Sequence, residues 1–599
     1  MKNLREIGLI LVVLMCACSD EQCPEGNDLV DGQCVFVITQ TPELTVQPSV
    51  KTLNFSWNAI EGADNYKLLQ DSDGTEEYTQ LGEDLSAETL SYAHQLSVYL
   101  YPWDTAQYKV QACNALGCVE SDAIGTTELM LDTIGVLEAS NADLNDSFGS
   151  IVATSADGNT LAISAPGESS SATGINGNES DNGSSGSGAV YVFVNDGDSG
   201  WLQQAYIKAS NTDAGDHFGS SLALSADGST LVVGAWREGS SSTGIDGEDN
   251  NDAPASGAVY AFTRSAEGVW SQQAYIKASN TEVGDFFGTT VALSADGDTL
   301  AVGARGEKSS ATGINGDQAD NQAQSSGAVY VFTRSNETWS QQAYIKASNT
   351  GAGDYFGAAV ALSGDGTTLA VGAIYEDSAN TDPNDDSASE AGATYVFVRG
   401  SDNDWFQQAY LKASNTDADD NFGSAVALSA DGNLLGVSTF NEASSARGID
   451  GDQLSNHMPE AGAVYLFERA ENSSWSQTTY IKASNTDTGD GFGFSLALSA
   501  DGSTLAVGAV WEASNAVGIN GDQSNNDFEY AGAIYVFRHS KTNWSQIAYV
   551  KLKDNTPIST EFAEFFGISL SLDEHGDSLF AGAPGVEGAD ISTGTVYLY

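Results

Sequence analysis

The chain has 599 residues, with 22 Lys and Arg against 82 Asp and Glu, for a net charge of -60. So large an acidic excess excludes nucleic acid as a partner, because phosphate would be repelled, and it argues against charge-driven binding to anionic lipid surfaces. After the first eighteen residues no segment is long and apolar enough to cross a bilayer.

Residues 1–18 read as an export signal. Lys2 and Arg5 supply the positive start, and Ile7 to Met15 an apolar core too short to span a membrane. The end, Leu14-Met15-Cys16-Ala17-Cys18, resembles a bacterial lipobox, which implies lipidation of Cys18; Cys16 departs from that pattern. Ser19 after Cys18 implies the outer membrane for lipoproteins of this kind, with a plain secreted protein as the alternative. Residues 19–39 read as a short linker. Four cysteines remain, Cys23, Cys34, Cys113 and Cys118, and an exported chain can oxidise them. Proximity favours Cys23–Cys34 and Cys113–Cys118, although four cysteines allow three pairings. The His residues are scattered without a shared ligand spacing, so the cysteines are read as disulfides rather than metal ligands.

In residues 40–130, Trp57 of Leu53-Asn-Phe-Ser-Trp57 is predicted on an early strand and Tyr66 on the next. Leu100-Tyr-Pro102 followed by Tyr108-Lys-Val-Gln-Ala112 resembles the tyrosine corner of fibronectin type III domains. The resemblance implies a β-sandwich that serves as a spacer, with Cys113 and Cys118 stapling its last hairpin.

Residues 131–599 are repetitive. Phe-Gly recurs at Phe148, Phe218, Phe287, Phe356, Phe422, Phe492 and Phe566, about 70 residues apart, and a fixed period decides the architecture before finer detail does. In the unit from Phe218, strands are predicted over Phe218 to Leu224, Thr230 to Ala235, Gly257 to Thr263 and Trp270 to Ala278, with Asp227-Gly228 as a tight hairpin. Four short strands repeated seven times predict an all-β, seven-bladed β-propeller. Trp201, Trp270, Trp339, Trp405, Trp475 and Trp544 open the fourth strands, and Tyr260 and Phe262 share one face of a third; these aromatics are read as packing between blades. The chain ends at Tyr599 one strand short. Val136-Leu-Glu-Ala-Ser-Asn141 aligns with Tyr206-Ile-Lys-Ala-Ser-Asn211, so residues 131–139 are expected to supply the missing outer strand.

These units resemble the FG-GAP repeats of the integrin alpha-subunit propeller. Gly-Ala-Pro is whole at Gly582-Ala583-Pro584, nearly so at Ser164-Ala165-Pro166, and reduced to Gly-Ala at Gly234, Gly303, Gly372 and Gly508; the fifth unit has Ser438-Thr439. In the integrin-like pattern the loop between the first two strands is an extended calcium loop. Here it is Ala226-Asp227-Gly228 or its equivalent, too short for the six to eight oxygens calcium takes.

The carboxylates lie instead in the loops entering strand one and in the inserts between strands two and three, which a propeller places on one face. The first group has an acid two residues before each Phe: Asp146, Asp216, Asp285, Asp354, Asp420, Asp490 and Glu564, with Asp213 nearby. It is read either as a ligand-binding face or as local turn chemistry. The inserts carry Asn315, Asp317 and Asp320 in Gly313-Ile-Asn-Gly-Asp-Gln-Ala-Asp320, Asn520 and Asp522, Asp450 and Asp452, Asp246 and Asp249, and Asp382, Asp385 and Asp386. Calcium binding and turn formation compete as readings there.

No G-x-S-x-G, H-E-x-x-H or Walker motif is present, so the chain is read as a non-enzyme. The expected function is a monomeric cell-surface adhesion or binding lipoprotein that presents an acidic face to an extracellular protein or glycan, either directly or bridged by Ca2+. The alternatives are an extracellular polysaccharide hydrolase or lyase and a structural envelope protein.

Overall fold

The computed structural model describes residues 23–31, 33–197, 200–540, 543–553, 565–585 and 593–599. Cys18 and Glu564 lie outside the described residues. Among those described, no helix is long and apolar enough to cross a membrane. The chain forms two compact units: one runs up to Gln95 and from Pro102 to Met130, the other comprises Leu96–Tyr101 and Leu131–Tyr599.

In the first unit, Asn27–Val30 and Gln33–Phe36 pair as a hairpin. A three-stranded sheet has the order Thr45–Ser49, Thr52–Ser56, Ser91–Gln95, and a second sheet the order Ile124–Gly125, Gln107–Asn114, Asn65–Asp71, Thr79–Ser86, with Gly117–Glu120 also on Gln107–Asn114. Alternation along Thr52–Ser56 and Gln107–Asn114 turns Leu53, Phe55, Tyr108 and Val110 inward, all buried. Trp57 directly follows Thr52–Ser56 and packs on Tyr66 with ring centroids 5.6 Å apart. The disulfides are Cys23–Cys34 and Cys113–Cys118. The second joins residues directly opposite each other in the Gln107–Asn114/Gly117–Glu120 hairpin.

Among the described residues, the second unit contains seven four-stranded antiparallel sheets, an arrangement of β-propeller type. In six of them the strands follow chain order; the second sheet, for example, runs Ser221–Leu224, Thr230–Ala235, Ala258–Arg264, Trp270–Ile276. Second strands such as Thr230–Ala235 are buried at every residue, without the alternation of a half-solvated strand. The reason is that both faces of each sheet are covered by its neighbours. The cores therefore lie between sheets: Ala162, Val190 and Val192 of the first sheet pack with Phe218, Leu231 and Tyr260 of the second. Each Phe-Gly ring meets the third-strand aromatics edge-on, Phe218 at 5.3 Å from Tyr260 and 6.2 Å from Phe262. First strands touch the first strands of adjacent sheets in series, and Leu570–Leu572 of the last touches Val152–Thr154 of the first, so the series is circular.

The seventh sheet draws on both ends of this unit. Gly135–Leu137 pairs antiparallel with Thr595–Leu598, which continues to Leu579–Ala583 and Leu570–Leu572. The outer strand is where the sequence places it, although only three residues pair. Deleting residues 131–139 removes this strand and leaves a bare edge on Thr595–Leu598. The truncated chain is expected to unfold at a clearly lower temperature than the full chain in a calorimetric scan, and an unchanged transition would refute closure by this strand.

Candidate ligand-binding face

At one end of each sheet is the short hairpin between strands one and two. Ser225 Oγ donates to Asp227 Oδ1 at 2.7 Å, the Ser229 amide donates to the same oxygen at 2.9 Å, and Gly228 takes φ 65°. Against the upward push of burial, these bonds hold the Asp227 carboxyl below its usual range. Its oxygens are committed to closing the turn, so the integrin-type calcium position has no free ligand set here.

The opposite end carries the two loop types that the sequence places together, and hydrogen bonds do join them. Asn251 Nδ2 of an insert donates to Asp213 of the loop entering strand one at 2.7 Å. The same bond recurs as Asn182–Asp143, Asn321–Glu282, Asn456–Asp417 and Asn526–Asp487.

Within the inserts, the Gly-Ile-Asn/Asp-Gly motif is a bracket against the fourth strand. Ile314 forms a bridge with Ile345, the Asn315 amide donates to Tyr344 O at 2.7 Å, and Asn315 Oδ1 accepts the Tyr344 amide at 3.0 Å. The side-chain carbonyl thus substitutes for a backbone carbonyl. Asn315 has φ 54°, in the left-handed region that Asn and Asp tolerate. Asp246, Asp450 and Asn520 do the same to Tyr275, Tyr480 and Tyr549. Asp317, Asp452 and Asp522 each accept the amide two residues on, at 2.9 to 3.1 Å, as Asx turns. Asp320 accepts the Ser310 hydroxyl, and Asp249 is exposed. Among the described residues no three of His, Cys, Asp or Glu are grouped to hold a metal ion. Asp317, Asp452 and Asp522 thus each commit one oxygen to a local turn, while Asp320 Oδ1 has no hydrogen-bond partner, so the carboxylates are spread along the inserts rather than gathered into a calcium cage.

The aspartates before Phe-Gly require a correction. Asp216, Asp285, Asp354, Asp420 and Asp490 are buried, and so is Asp146; they do not form a surface for a macromolecular ligand. Each accepts the amide three residues upstream, at 2.7 to 3.1 Å, and so shapes the entry to strand one. Burial pushes Asp216, Asp354, Asp420 and Asp490 up to about 7, and Asp146 and Asp285 up to about 6. Asp213 is half-exposed and belongs to the outer layer with the inserts.

A buried ion pair underneath this face was not anticipated. Lys346 Nζ lies 2.9 Å from Glu307 Oε2 and donates to Ser326 Oγ at 2.7 Å. Glu307 also accepts Asn280 Nδ2 at 3.0 Å and the Ser309 amide at 3.1 Å. The Tyr330 hydroxyl closes the network on Asn280 Oδ1. Lys208–Glu168, Lys277–Glu238, Lys412–Glu376, Lys482–Glu442 and Lys551–Glu512 repeat it, with both partners at most 2% exposed. Each pair ties the start of an insert to the end of a fourth strand. The available signal was a lysine at one phase of six repeats in a chain with only 22 cations. The closing strand has Glu138 at that phase, and it is exposed. A second ladder links fourth strands: the indole Nε1 of Trp270, Trp339, Trp405 and Trp475 donates at 2.9 Å to Gln204, Gln273, Gln342 and Gln408 of the preceding sheet.

A family model described as FG-GAP repeat matches residues 201–262, 270–332, 339–397, 405–467 and 475–537, together just over half of the chain. The chain belongs to the FG-GAP repeat family. Each matched FG-GAP segment starts at the Trp of one fourth strand and ends at a Phe of the next third strand. The family repeat is thus offset from the sheet by one strand, the same offset that closes the ring. Among solved structures, the periplasmic gluconolactonase PpgL of Pseudomonas aeruginosa is similar at 14% identity and TM-score 0.39, covering 82% of this chain and 96% of that one. The RRP9 WD40 repeats are similar at 8% identity and TM-score 0.40, covering 78% and 96%. No curated protein matches the chain.

Proposed function

We propose that this chain is a cell-surface binding or adhesion lipoprotein. In this reading Leu131–Tyr599 is a seven-bladed FG-GAP propeller, residues 40–130 are a fibronectin type III-like spacer, and Cys18 carries the lipid at the outer membrane. The ligand is an extracellular protein or glycan, met by the acidic outer layer of inserts and entry loops. The observation that carries the reading is the repeated Asn–carboxylate bond that ties insert to entry loop within each of five sheets, so that the exposed loops at this end are ordered. The two disulfides agree with an exported chain. Because the insert carboxylates already serve the loops' own amides, recognition is assigned to the ordered loops without a metal.

The test uses purified, labelled full chain on cells and extracellular matrix. Saturable binding that survives EDTA is expected. Replacing residues 317–322 and 522–527 by short Gly-Ser links leaves the ion pairs in place, and should abolish binding without moving the melting temperature. Unchanged binding by that variant would refute the loop face as the docking surface. Turnover of a glycan by the wild-type protein would replace adhesion by catalysis.

A further inference from the structure

The mouth of the ring, where first strands begin and second strands end, has a chemistry unlike the rest of this acidic chain. Trp236 follows the second strand of the second sheet, Arg305 follows that of the third, and Phe286 and Tyr355 directly precede the first strands Phe287–Leu293 and Phe356–Leu362. The guanidinium of Arg305 is 5.8 Å from the Trp236 ring, 5.8 Å from Phe286 and 6.0 Å from Tyr355. Trp236 and Phe286 are 5.1 Å apart, and Arg237 lies over Trp236 at 4.4 Å. All these rings are half-buried and Arg237 is exposed. Among the described residues neither guanidinium has an ion pair or a hydrogen-bond acceptor, although the chain has 82 carboxylates.

The backbone points the same way. The residue before Phe-Gly takes a left-handed φ in all seven sheets: Ser147 59°, His217 54°, Phe286 57°, Tyr355 55°, Asn421 61°, Gly491 64° and Phe565 49°. The turn is met by Ser, Asn or Gly, so it does not need an aromatic. A bulky residue at positive φ is strained. Phe286 and Tyr355 bear that strain while leaving their rings partly in solvent, which core packing does not reward.

We propose that this mouth binds a carboxylated sugar, the uronic-acid end of a glycan. Arg305 and Arg237 take the carboxylate through their guanidinium N–H groups, and Trp236, Phe286 and Tyr355 stack against the apolar C–H face of the sugar ring. Cation–π contacts hold Arg305 in place while leaving its donors free. Two unpaired arginines repel a cationic ligand, and a net charge of -60 repels a long polyanion, so the ligand is a short segment with few charges. The proposal rests on the reading of this chain as a binding protein and names a ligand class for it.

The experiment is calorimetric titration of the full chain with glucuronate, galacturonate and mannuronate oligosaccharides and with their neutral methyl esters. Saturable binding of an acid at one site is expected, with its ester weaker by about tenfold or more. Arg305→Gln and Arg237→Gln should each bring the acid down to the ester's affinity. Phe286→Asn and Tyr355→Asn place at the turn the residue that the fifth sheet already has there. They should weaken binding by about tenfold while keeping the melting temperature, which separates loss of the ligand from loss of the fold. No heat with any acid, equal affinity for acid and ester, or full affinity in Arg305→Gln would overturn the proposal. Cell binding that persists while no uronate binds would sink this site alone and leave the adhesion reading standing.

Discussion

Glu307→Gln is expected to destabilise the second unit by about 3–5 kcal/mol, seen as a large drop in unfolding temperature or in the denaturant midpoint. Lys346 is fully buried beside that carboxylate. Burial lowers its proton affinity and the Glu307 charge opposes that fall. With the charge gone, an ammonium is left in a dry site with a neutral amide and a hydroxyl. Lys346→Met should cost less, because Glu307 keeps Asn280 Nδ2 and the Ser309 amide as donors. The double variant, Glu307→Gln with Lys346→Met, should recover most of the loss, since it removes both charges together. A double variant as unstable as the sum of the singles would mean that the network acts through packing rather than through charge pairing.

The second large effect is on pH. The buried aspartates before Phe-Gly hold their protons in the folded state up to about pH 6 for Asp146 and Asp285 and about pH 7 for Asp216, Asp354, Asp420 and Asp490, against an ordinary value of 3.8. A raised folded value means that the native state binds more protons between those limits. Stability from these groups is therefore complete below the unfolded value and is lost as pH rises through 6 and 7. The hairpin aspartates Asp157, Asp227, Asp365, Asp431 and Asp501 have lowered values, so their contribution is present above 3.8 and fails as pH falls further. The two sets together place maximum stability near pH 4–5. Even at about 1.4 kcal/mol for each buried aspartate, the worth of a tenfold change in proton affinity, six of them exceed the effect of most single substitutions. The melting temperature should be several degrees higher at pH 5 than at pH 8, and Asp216→Asn and Asp354→Asn together should flatten that slope. A melting temperature that rises from pH 5 to pH 8 would show these carboxyls to be ionised in the fold.

Much of the second unit was legible because its signals are local. Asp227-Gly228 closes a hairpin with its own neighbours, Tyr260 and Phe262 share a face by simple alternation, and the closing strand is betrayed by a copied phrase, Leu-Glu-Ala-Ser-Asn, out of its expected place. What escaped depends on distance or on context. Lys346 stands in Tyr-Ile-Lys-Ala-Ser, where a charge between apolar residues reads as solvent-facing. Its partner lies 39 residues upstream, across an insert of variable length. Asp216 lies among Gly and Asp in a segment that reads as surface, and only the packed sheets show it to be buried. The insert motif is legible as a motif, but its two readings, turn formation and calcium binding, stay open in the sequence: a carbonyl that serves a strand amide and one that serves a cation are the same atom there. The mouth is not legible in sequence because at its key position Ser147, His217, Phe286, Tyr355, Asn421, Gly491 and Phe565 share a backbone angle rather than a side chain.

The joint made by Gly135–Leu137 and Thr595–Leu598 also sets a schedule. It links positions far apart in the chain, so it cannot form until residues 595–598 have been synthesised, and a contact of such separation is slow to find. Until then the nascent ring is a row of sheets whose first and last members lack a neighbour. The finished joint has three paired residues and, at Glu138, no lysine to anchor it. It is thus both the final step of assembly and the first place to breathe. Amide hydrogens of residues 135–137 should exchange with solvent by local opening, well before those of the six sheets built from consecutive strands.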